Sequence, residues 1–329
     1  MTRFVDIDLA RLPRPDAIQV LDYEARLGER MAELVLRLQA AGIAYDVGGL
    51  ESDPLKKVEE HAAYYELLLL QRINEAVRAV LLPTSLGADL DNLASDLGVK
   101  RMTITPATDA ADAVMEDDTS LRRRRQLAVE ALTVAGPEGA YLFHALSTTR
   151  LVAGADVSVV KDAAVYGPTS TRETAPGVAV AIGVAPGHVH VPIINRTGSG
   201  AASAEDIAAV AAKLNAREVR PIADFVTVSA ATITNYAVVA VLRVGPGADP
   251  ELVRQQALAR MTAYTARQHR VGAAVLRSAL FATAHVAGTD GLPVVDQVVL
   301  SQPAADVDPG AYGAPYCTGI TVTIEVVDG

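Results

Sequence analysis

Residues 136–161 read GPEGAYLFHALSTTRLVAGADVSVVK, and the hydrophobic period changes within them. Gly136, Pro137 and Gly139 turn the chain into a helix predicted over 138–147, whereas 156–161 alternates apolar and polar side chains and reads as a strand. Downstream, strands are predicted at 177–185 and 188–194, paired as a hairpin around Pro186 and Gly187, and at 225–233 and 236–244, paired around Asn235. Strands at 294–300 and 318–327 complete the set, 162–176 reads as a polar loop, and helices are predicted at 203–216, 250–268 and 272–286. Strands in pairs with helices following imply an α+β chain of small mixed modules rather than a doubly wound parallel sheet.

Upstream, helical spacing dominates. A helix over 118–134 follows a linker-like stretch, 103–118, and a short helix is predicted at 87–97. Two long helices come first and form an N-terminal helical hairpin of the bundle-forming kind. The first, 16–41, follows Pro13 and Pro15 and offers Asp16 as a cap. Val20, Leu27, Leu34 and Ala41 recur every seven residues, with Met31 and Leu38 interleaved and Glu24 as the polar break. A loop over 44–54 holds Gly48, Gly49 and Pro54. The second helix, 55–82, is stopped by Pro83 and is about 40 Å long. Val58, Ala62, Tyr65, Leu69, Arg72, Ala76 and Ala79 follow one seam, while Leu67, Leu68 and Leu70 lie off it. Such a helix needs neighbours on several sides. The expected interface residues are Val20, Leu27, Met31, Leu34, Leu38, Tyr65, Leu69 and Ile73. The expected divisions are an assembly arm at 1–102, a middle α+β module at 103–220 and a C-terminal α+β module at 221–329.

The chain has 329 residues, with 29 Lys+Arg against 39 Asp+Glu, a formal net charge of −10 and a pI near 5.1. That balance argues against nucleic acid as a partner. Half the residues are hydrophobic, yet 58 are Ala and 41 are Val, only 4% are aromatic and Trp is absent. Small apolar residues suit close helix approach and strands, not stacking on bases or sugars. The mean hydropathy is +0.23, but no window holds about 18 uninterrupted apolar residues, and the start carries Asp6 and Asp8 without a signal-peptide core. A soluble, non-exported chain is expected. One cysteine, Cys317, excludes an internal disulfide and reads as a small packed hydrophobe.

Four features invite a chemical reading. Arg122–Arg125 are consecutive, so on a helix they spread through about 300° and cannot share one binding face; ion pairs with Glu116, Asp117 and Asp118 are the better reading. His188 and His190 point the same way along a strand, but lack a third ligand nearby in sequence, so no metal is expected. Gly198-Ser199-Gly200 is half of a dinucleotide fingerprint, and an enzyme using that turn for a nucleotide or small molecule is the alternative. Ser203 and Asp206 just after it resemble a capping box, which favours a tight turn into a capped helix. No serine-hydrolase elbow, P-loop or zinc-protease spacing is present, so no catalytic residue and no cofactor is assigned.

Several segments together resemble a known family. They are Ile7-Asp8-Leu9 with Leu12-Pro13, Leu21-Asp22-Tyr23-Glu24, Glu29-Arg30, the run from Leu70 through Asn74 to Val80, and Asp89 to Ala94. Further on come Val134 to Tyr141 with Phe143-His144-Ala145, Val219 to Asp224, Gln268 to Gly272 with Arg277-Ser278-Ala279, and Tyr316-Cys317-Thr318. Across essentially the whole chain these are similar to the baseplate assembly protein J family of contractile phage tails and related injection machines. Residues 161–192 are longer than that pattern, and 288–292 differ from it. The resemblance implies a structural wedge protein. Two copies per wedge would join a third protein through a helical core bundle, and the C-terminal parts would link wedges into a ring around the tail hub. It further implies a place in the virion tail after assembly in the host cytoplasm, with a second copy, other wedge proteins, adjacent wedges and the hub as partners, and no nucleic acid, membrane or cofactor.

Overall fold

The computed structural model describes residues 9–46, 50–133, 135–175, 177–246, 249–287 and 294–327. Ile7, Asp8, Gly48, Gly49, Val134 and 288–292, singled out in the sequence, lie outside these. The chain divides into two compact units, 1–100 and 101–329.

The first unit is helical. It holds α1 (Tyr23–Ala40), α2 (Pro54–Ala79) and α3 (Gly87–Ser95). Helix α1 begins at 23, not 16, because Asp22 is the residue whose carboxylate accepts the Ala25 amide, at 3.0 Å. Val20 therefore lies ahead of the helix. Asp53 caps α2 in the same manner, accepting the Lys56 amide at 3.0 Å, with Pro54 in the first turn where its missing N–H costs nothing. Ion pairs join the two helices: Arg30 reaches Glu59 at 2.8 Å and Glu66 at 3.3 Å.

The second unit is α+β. In chain order it contains β1 (Thr103–Thr105), β2 (Val114–Met115), α4 (Asp118–Leu127), α5 (Glu138–Leu146), β3 (Thr149–Val152), β4 (Ala155–Ser158) and β5 (Val160–Ala163). Then follow β6 (Thr171–Ala175), β7 (Val178–Ala181), β8 (His188–Asn195), α6 (Ala204–Leu214), β9 (Phe225–Ala230) and β10 (Thr232–Val244). The end is α7 (Pro250–Gln268), α8 (Arg277–Ala284), β11 (Val295–Gln302) and β12 (Gly313–Val326). These strands form small sheets in the orders β2-β1-β4-β3, β5-β8-β9 and β11-β10-β12, with β6-β7 as a ribbon.

Both predicted hairpins are corrected. Strand β7 pairs back with β6 inside the supposed polar loop, and β8 pairs with β5 and, in parallel, with β9. Helix α6 is the crossover between those parallel strands, the connection that parallel pairing requires. Asn235 is not a turn: β10 runs straight through it, opposite Tyr316 of β12. The predicted helix at 272–286 shrinks to α8 because Gly272 has φ +73° and gives its amide to Gly313, at 2.7 Å.

The largest core lies under α7. Val253, Ala257, Met261 and Tyr264 recur every three or four residues and are buried with Val238, Ala240, Leu242 and Val244 of β10, and Val322 of β12. Each fully buried aliphatic side chain there contributes about 1.5–3 kcal/mol.

The middle of the unit is organised by charge. Glu116 is fully buried and takes two hydrogen bonds from Arg124 of α4, at 3.0 and 2.7 Å. Arg196, just past β8, reaches the same carboxylate at 3.5 Å and donates to Ser158 of β4 at 2.9 Å. The arginine run resolves into ion pairs in different directions: Arg124 turns to Glu116, one of the expected partners, while Arg123 pairs with Asp162 of β5, which was not among them. Removing one partner of a buried pair strands the other charge. Glu116→Gln should lower the unfolding free energy by about 3–5 kcal/mol in urea titration, whereas neutralising an exposed acid such as Glu33 should move it by less than about 1 kcal/mol.

Candidate assembly interface

The two long helices carry more apolar surface than they bury. Among the described residues, no position of α1 is fully buried. Leu27, Met31, Leu34 and Leu38 are half-buried, on the stripe that also carries Arg26 and Arg30. Since both arginines reach Glu66 of α2, that stripe faces α2. Helix α2 has two apolar stripes. Ala63, Leu67, Leu70, Asn74 and Val77 are buried or half-buried, in line with Glu59 and Glu66. Val58, Tyr65, Leu69 and Ile73 are 61%, 53%, 66% and 52% exposed. At about 100° per residue these four lie within one arc, roughly 120° around the helix from the first stripe. The eight sequence-predicted interface residues therefore make two surfaces. Four line the α1 side of the helix pair, Tyr65, Leu69 and Ile73 lie on the outer stripe of α2, and Val20 stands exposed before α1.

Asn74 was missed as a functional residue. Its Oδ1 accepts the Gln19 amide at 3.0 Å and its Nδ2 donates to the Gln19 carbonyl at 2.9 Å, so it acts as a one-residue strand partner for the segment leading into α1. Arg14 closes the segment by donating to the carbonyls of Ile18 and Gln19, at 3.0 and 3.1 Å. The available signal was a polar residue in register with the inner apolar stripe, a position where a buried amide must find partners.

In the second unit the segments that carry the family resemblance meet one another. Gly136 has φ +72°, and a Cβ there would stand 2.6 Å from Pro221. Tyr141 donates to Asp224 at 2.7 Å, and Arg220 holds the Asp224 carbonyl at 2.6 Å. Burial and the Asp224 carboxylate keep the Tyr141 phenol protonated, well above its ordinary range. Residues 268–272 join the middle sheet to the C-terminal one. The Val271 amide donates to Asp162 at 2.9 Å, Gly272 to Gly313, and the His269 ring meets that of Tyr316 edge-on at 5.3 Å.

The chemical readings resolve as architecture. At the Gly198-Ser199-Gly200 turn, Gly200 has φ +89° and its missing Cβ leaves room for His269, whose Nε2 would stand 2.8 Å from it. The Gly200 amide donates to Thr197, and the Ser203–Asp206 capping box is formed, placing a carboxylate where a phosphate would have to sit. That carboxylate also pairs with Arg150 at 3.0 Å. His190 lies within reach of hydroxyls on both ring nitrogens, Thr227 at 2.9 Å and Ser229 at 3.1 Å, while His188 stacks on Phe225. Among the described residues, no group of three or more His, Cys, Asp or Glu side chains is placed to hold a metal ion. Cys317 is half-buried, and burial raises its thiol pKa, so it is not a poised thiolate. No helix among the described residues is long and apolar enough to cross a membrane.

Comparison with known proteins agrees with this arrangement. Residues 51–108 match the profile of the Baseplate J-like N-terminal domain, 133–230 that of the Baseplate J-like central domain, and 236–323 that of the Baseplate J-like protein C-terminal domain. Over 319 residues the chain is 39% identical to the "Baseplate protein J" of Escherichia phage P2, which covers 95% of each chain. The chain belongs to the baseplate J-like family. It is a structural phage-tail protein and not an enzyme, which removes the nucleotide-enzyme reading of the Gly198 turn.

His269 makes the seam between the middle and C-terminal sheets sensitive to acid. Its Nδ1 faces the Lys161 ammonium at 2.7 Å and its Nε2 faces the Ser199 carbonyl at 3.2 Å, so the neutral ring, with its proton on Nε2, satisfies both. Burial, then Lys161, lowers its pKa below 6.5. Burial lowers those of His144 and His190 as well. These groups take up protons more readily when unfolded, so their contribution is complete above pH 6.5 and is lost as pH falls through the folded pKa values. Urea unfolding should show stability dropping as the pH falls below about 6.5, and His269→Gln should flatten that slope by at most about one proton's worth.

Proposed function

We propose that the chain is a baseplate wedge component of a contractile phage tail or related injection device. Within a wedge it pairs through α1 and α2 with a second copy of itself and with other wedge proteins. The observation that carries this reading is the outer stripe of α2. Val58, Tyr65, Leu69 and Ile73 are more than half exposed, on a helix whose other stripe is already taken by α1. A two-sided apolar helix is the element a multi-helix bundle requires. The inner stripe, with Leu27, Met31, Leu34 and Leu38, then holds the arm together rather than binding the partner directly.

On this reading residues 1–102 are the assembly arm, and 103–220 and 221–329 are two α+β modules, with β9 at the head of the last completing the sheet of the module before it. The C-terminal modules link neighbouring wedges into a ring around the tail hub. The protein takes its place in the tail baseplate after assembly in the bacterial cytoplasm. Apolar helical seams keep each wedge intact, while smaller and more polar contacts between wedges rearrange when the tail contracts.

Leu69 and Ile73 are exposed in the single chain, so Leu69→Asp with Ile73→Asp should leave its circular dichroism unchanged. In a bundle, each buried unpaired carboxylate would cost several kcal/mol, and the double variant should no longer co-purify with its wedge partners. Undiminished co-purification would show that this stripe is not the wedge seam.

A further inference from the structure

Strand β12 is fourteen residues long, and the order β11-β10-β12 leaves one of its sides without a strand among the described residues. The Val327 amide donates to Val244 of β10, at 3.0 Å. Counting back by twos from that bond, the N–H and C=O groups of Glu325, Thr323 and Thr321 turn toward β10. Those of Ile320, Val322 and Ile324 turn toward the open side. The side chains alternate with the same period. Val322 is buried under α7 with Ile320 and Ile324 packed beside it, whereas Thr321, Thr323 and Glu325 are exposed. From Thr318 to Ile324 this edge carries no charge and no proline, the devices that normally keep an edge from pairing. The opposite edge of the sheet, β11, has Asp296.

We propose that the open edge of β12 pairs with the same edge of a second copy of this chain, the two strands running antiparallel about a two-fold axis at Val322. In that register Val322 opposes Val322, Ile320 opposes Ile324, Thr321 opposes Thr323 and Glu325 opposes Gly319. The axis falls on a residue whose backbone groups point outward, so Ile320, Val322 and Ile324 all enter hydrogen-bonded pairs. The only charge between 318 and 326 meets a glycine with open space around it rather than its own copy. The inner aliphatic row continues across the junction into the partner's sheet, and the contact closes on itself as a two-fold interface must. The proposal rests on the reading that the C-terminal module links one wedge to the next, and it names the surface that does so.

Thr321 and Thr323 are exposed, so both accept lysine without disturbing the core. The full chain should self-associate in sedimentation-velocity runs across a concentration series. Thr321→Lys with Thr323→Lys sets two like-charged pairs face to face and should weaken association by about tenfold or more. Thr321→Lys with Thr323→Glu makes both pairs opposite in charge and should restore it. Association that is unaffected by the double lysine variant, that is not recovered by the lysine–glutamate variant, or that is absent from the wild-type chain overturns the proposal. Self-association that survives the double lysine variant but disappears with Leu69→Asp and Ile73→Asp assigns it to the helices. That outcome overturns the strand pairing and leaves the wedge reading standing.

Discussion

A carboxylate with no solvent exposure holds the second unit in register. Glu116 sits between β2 and α4, and its charge is tolerable only because Arg124 grips it with two hydrogen bonds and Arg196 approaches from the end of β8. The Met102 amide contributes at 3.3 Å, and Arg101 donates to the Glu116 backbone carbonyl. Through Arg196 the network reaches Ser158 of β4, and through Arg124 it reaches Ser147 at the end of α5. A slip of any one of these elements would leave a buried charge unpaired. The consecutive arginines of α4 make sense on the same ground. Because successive residues diverge by about 100°, Arg123 and Arg124 can serve two different carboxylates, Asp162 and Glu116, and so tie two strands to one helix.

Asp162 passes this constraint on to the C-terminal sheet. One oxygen takes Arg123 and the other takes the Val271 amide, so the loop after α7 is bonded to β5. Beside it His269 fills the space beside Gly200 and touches Tyr316. The family-like segments at 136–141 and 219–224 also meet, through Gly136, Pro221, Tyr141 and Asp224. These motifs resemble active-site loops in composition, with glycines, histidines and acids close together. Their polar atoms are spent on neighbouring chain segments, which suits a structural part.

Helices and charge pairs were legible from sequence because their signals are local. The loop ending at Pro54 and the apolar seam that follows it place the start of α2 to within a residue, and the capping pair Ser203–Asp206 predicts the turn that the structure contains. The α+β class follows from the change of period after residue 147. Strand partners were not legible. Alternation shows that 188–194 is a strand, but not that β5 and β9 flank it, because the paired residues lie 30 or more positions away. The ribbon was missed for a different reason. Strand β7 lies within the predicted 177–185, but its partner β6 reads Thr-Arg-Glu-Thr-Ala, with no apolar alternation to mark it as a strand. Asn235 misled because a turn-favouring residue tolerates an exposed strand position as readily as a loop. At the candidate interface the apolar stripes of α2 were visible as periodicity, but which one α1 would cover depended on Arg26, Arg30, Glu59 and Glu66, and Asn74 shows itself only once Gln19 is placed beside it.

The distribution of polar and apolar contacts separates what must stay fixed from what must assemble. Inside the second unit the decisive contacts are directional, ion pairs and capping hydrogen bonds with one satisfactory geometry each. On the first unit the outer stripe of α2, with Val58, Tyr65, Leu69 and Ile73, is aliphatic and aromatic, and such contact is non-directional and gains its strength from area. This division suits the assembly role proposed for the chain. Charged contacts fix the shape of the second unit, while the outer stripe of α2 stays accessible in the chain, and apolar contact is worth most when water is excluded from both sides at once. A net charge of −10 opposes unspecific clustering of such chains. The high content of Ala and Val suits the same division, since small side chains let helices approach closely.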